Sequence, residues 1–320
     1  MKKMLGVLLA MAIAFPASAD VLKNVNLKGE IQTIASDVRT NNHLVPAPYN
    51  TGVTSRVMAG LSADLVEDVT ANLMFQYANF WGNDVSSGNS VQNYWNGVRL
   101  AEANVVLSNL FCCLEATIGR QFYGDEDSAV LYFGPNHYNA EFNGYSPSLD
   151  ALKIAYADDV KSFTFIAGKA NVTTVMGMND NGFIAANHAA MPTFASFDIY
   201  GADFKLKLGE EFYAKIYGYD FMDSQRVLGM DKHNGFYGAK IGADMQAMRF
   251  GVEYNRNFGG DRLIKEHEGT GHMAKVDFAM DIEALTARAA YLYANNSFFA
   301  YGNYTPGLLV GHDLGGGIWN

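Results

Sequence analysis

The sequence has few of the residues that cross-link or interrupt a chain. Of its 320 residues, only 2 are cysteine and 7 are proline. The two cysteines, Cys112 and Cys113, are adjacent, so they cannot join distant elements, and they lack a Cys or His partner at metal-site spacing. We interpret them as turn residues, and we expect neither a disulfide framework nor a zinc site.

Long apolar runs are missing after the first 19 residues, so a helical membrane span is not expected. The chain begins with Lys2 and Lys3, a short apolar stretch LGVLLAMAIAF, and Ala-Ser-Ala. These parts are typical of a secretory signal. Residues 1–19 are predicted to be cleaved, with a membrane anchor as the alternative, and residues 20–320 to form the mature domain.

Positive charge is also scarce, because 23 Lys and Arg face 33 Asp and Glu, for a net charge of −10. The predicted signal would remove two more lysines. This balance argues against nucleic-acid binding, which needs a basic footprint. Aromatic residues make up 13% of the chain and glycine 32 residues. The composition favours a large secreted β protein or an outer-membrane barrel.

Stretches of about 9–12 residues alternate apolar and polar side chains, which is the period of a β-strand. In VNLKGEIQTIA, Val25, Leu27 and Ile31 share one face, whereas Lys28 and Glu30 share the other. The pattern predicts about fourteen strands. Their centres lie near residues 31, 59, 74, 103, 118, 154, 165, 202, 216, 240, 252, 276, 289 and, more weakly, 314.

The connections alternate between short and long. Short polar turns are predicted at 66–69, 109–113, 157–161, 208–211, 243–248 and 281–284. Long loops are predicted near 39–52, 83–97, 124–150, 170–194, 222–234, 258–270 and 295–308. Turns at one end and loops at the other are typical of outer-membrane barrels. We therefore predict an all-β fold, a transmembrane antiparallel up-and-down β-barrel of about 14 strands, or 16, in the outer membrane of a Gram-negative-type (diderm) bacterium.

The two faces of the predicted strands differ in charge. The polar face carries charges on nearly every strand and would line a water-filled lumen, whereas the apolar face would meet lipid. Aromatic residues near strand ends predict an interfacial girdle, with a soluble aromatic core as the alternative. These aromatics are Tyr77, Phe80, Trp81, Phe122, Tyr123, Tyr217, Tyr219, Phe221, Tyr291, Tyr293, Phe298 and Phe299.

The stretch IGRQFYGDED (118–127), followed by SLDALKIAY (148–156), resembles the alginate-export family of outer-membrane porins. The matching positions are Gly119, Arg120, Gln121, Tyr123, Gly124, Asp125 and Asp150. GHDL (311–314) is similar to a late glycine-histidine-acid stretch of that family. The family's barrels are larger, and this chain ends in GGGIWN where many outer-membrane barrels end on an aromatic residue. Two interpretations stay open, an incomplete last strand or a fragment. The resemblance implies a passive porin for charged solutes or saccharides, and a cationic lane that attracts anions.

Charges on the polar face are the candidate pore-lining groups. The cations are Lys28, Arg56, Lys153, Lys205, Lys207, Lys215, Lys240, Arg249, Lys275 and Arg288. The acids are Glu30, Asp64, Glu102, Glu115, Asp203, Asp244, Glu253 and Asp277. Rings of charge select permeant ions by sign, but the same groups could form salt bridges that fill the lumen. Alternation points Arg120 at lipid, where it would snorkel unless a bulge turned it inward.

Two loop clusters are candidate metal sites. Asp125, Glu126 and Asp127 offer hard oxygens but lack the glycine-spaced calcium-loop pattern. The stretch HEGTGH, with His267, is not the helical H-E-x-x-H motif. We expect solvated loops, and neither a metal nor a cofactor.

The predicted function is passive diffusion of small hydrophilic, anionic or saccharide solutes, with outer-membrane lipid as the surroundings. A non-channel adhesin or structural barrel is the main alternative. A barrel lipase is less favoured, because the sequence has no G-x-S-x-G motif and no convincing Ser–His pairing. The oligomeric state stays open.

Overall fold

A computed structural model describes residues 23–38, 50–80, 98–111, 113–125, 128, 130–135, 146, 148–171, 196–223, 234–259, 271–282, 285–294 and 301–302. Sixteen strands are present: β1 (Lys23–Val38), β2 (Asn50–Val66), β3 (Val69–Phe80), β4 (Val98–Leu110), β5 (Leu114–Gln121), β6 (Tyr123–Gly124), β7 (Leu131–Phe133), β8 (Leu149–Ala157), β9 (Lys161–Asn171), β10 (Ser196–Leu208), β11 (Phe212–Asp223), β12 (Asn234–Met245), β13 (Met248–Gly259), β14 (His272–Ile282), β15 (Leu285–Ala294) and β16 (Tyr301–Gly302).

Thirteen of these strands form one sheet in which each strand pairs antiparallel with its neighbour in sequence, apart from β6 and β7, which leave the sheet. The prediction of an all-β, up-and-down antiparallel fold is confirmed. A second, three-stranded sheet has the order β16-β7-β6, with β16 parallel to β7. Within the described ranges no helix is long and apolar enough to cross a membrane.

The first thirteen predicted strands each match one strand of the large sheet. The fourteenth, near residue 314, lies outside the described residues. A closed barrel needs a join between the two ends of the sheet. No such join occurs among the residues that the structure describes, where β1 and β15 are the two edges.

Tight turns join the strands at one end of the sheet, as the sequence predicts. In the turn between β2 and β3, Asp68 has φ 61°, in the left-handed region that Asp adopts more readily than most residues. Between β8 and β9, the Asp158 carboxylate accepts hydrogen bonds from the backbone N–H groups of Val160 and Lys161 at 2.8 and 2.7 Å. Cys113 is free and exposed in the turn before β5, and Cys112 lies outside the described residues.

The faces of the sheet show the reverse of the burial expected in water. On β13, Phe250, Val252 and Tyr254 are exposed, whereas Glu253 and Asn255 at the alternate positions are 2% and 0% exposed. On β1, Leu27 is 78% exposed. We call the face with the buried polar side chains the inner face, and the apolar exposed face the outer face.

Candidate functional site

The inner face carries every cation that the sequence marked as pore-lining. Cross-strand pairing sets the face, because residues directly opposite each other point the same way. Lys205 lies opposite Lys215, and Lys215 lies opposite Lys240, so three lysines follow one another across β10, β11 and β12. The same register places the other seven predicted cations on this face. Whether they line a pore stays a prediction.

At least six of these ten cations lie within 4.0 Å of a carboxylate of the described residues. The pairs are Arg56–Glu30 at 3.0 Å, Lys153–Glu115 at 3.4 Å, Lys215–Asp125 at 2.9 Å, Lys240–Asp277 at 3.9 Å, Arg249–Asp281 at 3.1 Å and Lys275–Asp277 at 3.3 Å. Lys205 instead lies over the ring of Tyr213, 4.2 Å from its centroid. The interlocking arrangement that the sequence left open is therefore present for most of the set.

Amides extend the polar inner face across β3, β4 and β5. The Asn72 side chain donates to the Asn104 side chain at 2.9 Å, and Asn104 donates to the backbone carbonyl of Arg120 at 2.8 Å. The Gln76 amide donates to the carbonyl of Ser146 at 2.8 Å and accepts from its N–H at 2.7 Å. These bonds satisfy polar groups that burial would otherwise leave costly.

The chain after β5 folds back onto the inner face. We call the described residues between Tyr123 and Pro135 the inner segment; it contains β6 and β7. Val130, Leu131 and Phe133 are 0%, 2% and 0% exposed. They pack in one apolar cluster with residues of β8, β9, β10, β11, β12 and β14. Those partners are Leu149, Ala151, Ile166, Ile199, Tyr217, Tyr219, Phe221, Phe236 and Met273. The apolar stretch VLYFGP is thus buried against the inner face of the sheet.

Glycine makes the tight β6–β7 pairing possible. Gly124 has φ +94°, and a Cβ at this position would lie 2.5 Å from the carbonyl oxygen of Leu131. A side chain would meet both backbone strain and a clash there.

Polar contacts hold the inner segment against the inner face of the sheet, far from the long-loop end. The Tyr123 hydroxyl lies 3.0 Å from the Tyr219 hydroxyl and donates to Asp203 at 3.3 Å. Asp125 accepts from Lys215, which is the fourth of 12 residues in β11 counted from the short-turn end. The chain leaves β5 at the opposite, long-loop end, so the inner segment reaches most of the way along β11.

A second tyrosine lies beside this anchor. The Tyr217 hydroxyl donates to the Glu253 carboxylate and lies 2.5 Å from the Asn255 side-chain oxygen. All three side chains are at least nine-tenths buried. The sequence predicts Glu253 as a pore-lining acid, but it places Tyr217 in the interfacial girdle.

The aromatic girdle was partly wrong. Tyr123, Tyr217, Tyr219 and Phe221 lie on the inner side, in the apolar cluster under the inner segment, and not at a lipid interface. The sequence carried the signal, since the β11 aromatics share the parity of Lys215. Tyr291 and Tyr293 do lie on the outer face, 70% and 51% exposed. Side chains of Phe80, Trp81, Phe298 and Phe299 lie outside the described residues.

The structure resolves the orientation of Arg120. Its pairing is regular from Thr117 onward, opposite Ala103 on β4 and Asp150 on β8, so it points outward, as strict alternation predicts. Its guanidinium donates to both carboxylate oxygens of Asp150, at 2.8 and 2.6 Å. Gln121 points inward and is 3% exposed. The motif residues Gly119 to Asp125 are therefore split between the two faces.

The loop clusters weighed as metal sites do not come together in the described structure. Asp125 forms an ion pair with Lys215. The other candidate residues, Glu126, Asp127, His267 and Glu268, lie outside the described residues. His272 lies between the rings of Tyr254 and Tyr293. No group of three His, Cys, Asp or Glu side chains that could hold a metal occurs in the part of the chain that the structure describes.

No protein-family model matches the chain, and no curated protein matches its sequence. Similar solved structures include a mutant of Rh. blastica porin, with 12% identity and a TM-score of 0.49 over 87% of this chain and 86% of that one. Pseudomonas aeruginosa OccD3 (OpdP) has 10% identity and a TM-score of 0.46 over 89% and 77%. Salmonella typhi OmpF, in complex with daunomycin, has 10% identity and a TM-score of 0.45 over 86% and 91%.

Proposed function

We propose that the chain is an outer-membrane β-barrel channel through which small hydrophilic solutes diffuse passively. The observation that supports this most is the reversed burial of the sheet. Leu27 and Ile31 are 78% exposed, whereas Arg56 on the opposite face is 1% exposed. A sheet in water buries its apolar face, since each Å² of apolar surface left exposed forgoes about 25 cal/mol. A sheet closed around water and surrounded by lipid has the observed arrangement.

The balance of inner charges favours a weakly selective channel. Most inner cations are paired with carboxylates, so their field is largely cancelled within the wall. Lys28, Lys207 and Arg288 are the exposed inner cations of the predicted set. We also propose a mild preference for anions over cations, which rests on the motif resemblance. An alginate-like or other saccharide solute, as the motif resemblance implies, remains a finer part of the same proposal.

We also propose that residues 1–19 direct export and are removed, so that the mature chain begins near Asp20. The resemblance at Gly119 to Asp125 and the reversed burial both suit an outer-membrane location. Mass spectrometry of protein recovered from a diderm host would test this, because an intact N-terminus would contradict cleavage.

A second candidate is a barrel that conducts nothing. The inner segment, with Phe133 fully buried against the wall and Asp125 paired to Lys215, fills part of the interior. If it closes the route, the barrel would serve as an adhesin or a structural element.

Planar-bilayer conductance of refolded protein separates the two candidates. The channel proposal predicts discrete current steps, and in a salt gradient a reversal potential of the sign given by mild anion preference. Absence of any current from correctly folded, heat-modifiable protein would contradict the channel and support the non-channel barrel. Current that prefers cations would contradict the proposed selectivity alone.

A further inference from the structure

Four charged side chains of alternating sign cross the outer face near the long-loop end. We call Arg120, Asp150, Lys169 and Asp198 the outer charged row; they lie on β5, β8, β9 and β10. Each is directly opposite the next in the pairing register. They share their face with the exposed apolar residue Leu152. The row therefore borders an apolar surface, and Asp220 on β11 and Arg256 on β13 are further outer charges toward the same end.

Ion pairs within the row point away from its centre. Asp150 pairs with Arg120 on the flanking strand β5, and Lys169 pairs with Asp198 on the flanking strand β10. The two central members are the most exposed, at 56% for Asp150 and 60% for Lys169, against 37% for Arg120 and 16% for Asp198. The centre of the row thus presents one carboxylate and one ammonium side by side, each with hydrogen-bonding capacity left over.

We propose that this face binds a second copy of the chain about a two-fold axis that passes between Asp150 and Lys169. Two copies inserted in one membrane with the same orientation can be related by a two-fold axis along the membrane normal. Rotation by 180° about an axis between two opposite charges places the carboxylate of each copy over the ammonium of the other. Two reciprocal Asp150–Lys169 ion pairs would form, an isologous contact.

The row fits a second copy better than it fits an anionic headgroup. Its charges sum to zero, so it offers no net attraction to phosphates, whereas its alternation is complementary to itself. Lipid removes much of the hydrophobic drive for association of outer faces, so polar contacts of this kind decide which faces meet. The apolar residues beside the row, such as Leu152 and Phe165, would pack across the same axis. The inference depends on the outer face alone and not on whether the chain conducts.

Charge inversion of the whole row tests the proposal. Arg120→Asp, Asp150→Arg, Lys169→Asp and Asp198→Lys together keep each ion pair within the chain but exchange every sign. Wild-type and inverted chains, each with either of two affinity tags, are refolded together in detergent and purified through one tag. Wild type should recover wild type, and inverted should recover inverted. Wild type should recover at least about tenfold less of the inverted chain, because like charges then face each other.

A milder variant guards against misfolding. Asp150→Asn with Lys169→Gln keeps the side-chain sizes and should abolish recovery of a second copy while the protein stays heat-modifiable. The matched control exchanges the inner-face pair, Arg249→Asp with Asp281→Arg, and should leave recovery unchanged. Equal recovery in all tag combinations would overturn the proposal. So would a wild-type chain that stays monomeric in detergent and binds phosphatidylglycerol vesicles through the row.

Discussion

The two halves of the inner face follow the same alternation but form different walls. On β1 to β5 the inner side chains are mostly polar, and among them Glu30, Arg56, Gln76 and Asn104 bond to one another or to nearby backbone. On β8 to β14 the inner wall includes Ile166, Phe221 and Phe236, which the inner segment covers. The difference teaches that a cluster of large inward apolar side chains marks where a segment docks, whereas the polar half, β1 to β5, has no such cluster among its described residues.

The largest effect is expected from detaching the inner segment. Phe133→Asp places a charge in the apolar cluster, where an unpaired charge is strongly disfavoured. The segment should leave the wall, and single-channel conductance should rise on the order of twofold as the lumen widens. Phe133→Leu should leave conductance near the wild-type value. Identical conductance for both variants would show that the covered half does not narrow the route.

The next effect concerns the polar anchor of the same segment. Asp125→Asn removes the nearer of two carboxylates beside Lys215, whose ammonium would keep only the 3.8 Å contact with Asp203. We expect the anion-to-cation permeability ratio, obtained from reversal potentials, to increase on the order of twofold. Lys215→Gln should move the ratio in the opposite direction. A ratio that moves the same way in both variants would refute the anchor as a source of selectivity.

Most of the strand arrangement could be predicted from the sequence, because a period of two fixes the face of each residue once a strand is located. The parity that put Lys28 and Lys275 on one face was sufficient for all ten predicted cations. The docking of the inner segment could not be predicted, since it depends on contacts between Phe133 and strands far along the chain. The outward ion pair of Arg120 likewise needed the register with Asp150, which no local pattern supplies.

A smaller effect is expected from the outer face beside the polar half. Arg120→Ala removes the bidentate ion pair with Asp150, in which both side chains are partly exposed. The free energy of unfolding in detergent should fall by about 0.2–1 kcal/mol, the range for exposed ion pairs. Conductance should not change, because the side chain points away from the lumen. A changed reversal potential in this variant would contradict the outward assignment.

The smallest effect is expected at the β8–β9 turn. Hydrogen bonds from the Tyr156 hydroxyl and the Lys161 and Val160 backbone amides lower the pKa of Asp158 to about 2. Because this pKa is lower in the folded state than the ordinary value of 3.8, the ionised carboxylate stabilises the folded state at pH values above 3.8. That stabilisation is lost as the pH falls toward 2. Thermal midpoints of wild type should therefore fall between pH 4 and 2 more than those of Asp158→Asn. Parallel pH curves would rule out this contribution.

In the proposed barrel, successive residues of one strand face lipid and water alternately. Thiol accessibility tests this alternation most directly. In a background with Cys112→Ser and Cys113→Ser, Leu27→Cys and Lys28→Cys are compared in bilayers with a charged, water-soluble thiol reagent. The reagent should label Lys28→Cys and reduce its current, and leave Leu27→Cys unlabelled. Equal labelling of both positions, or labelling of Leu27→Cys alone, would contradict the assignment of the two faces.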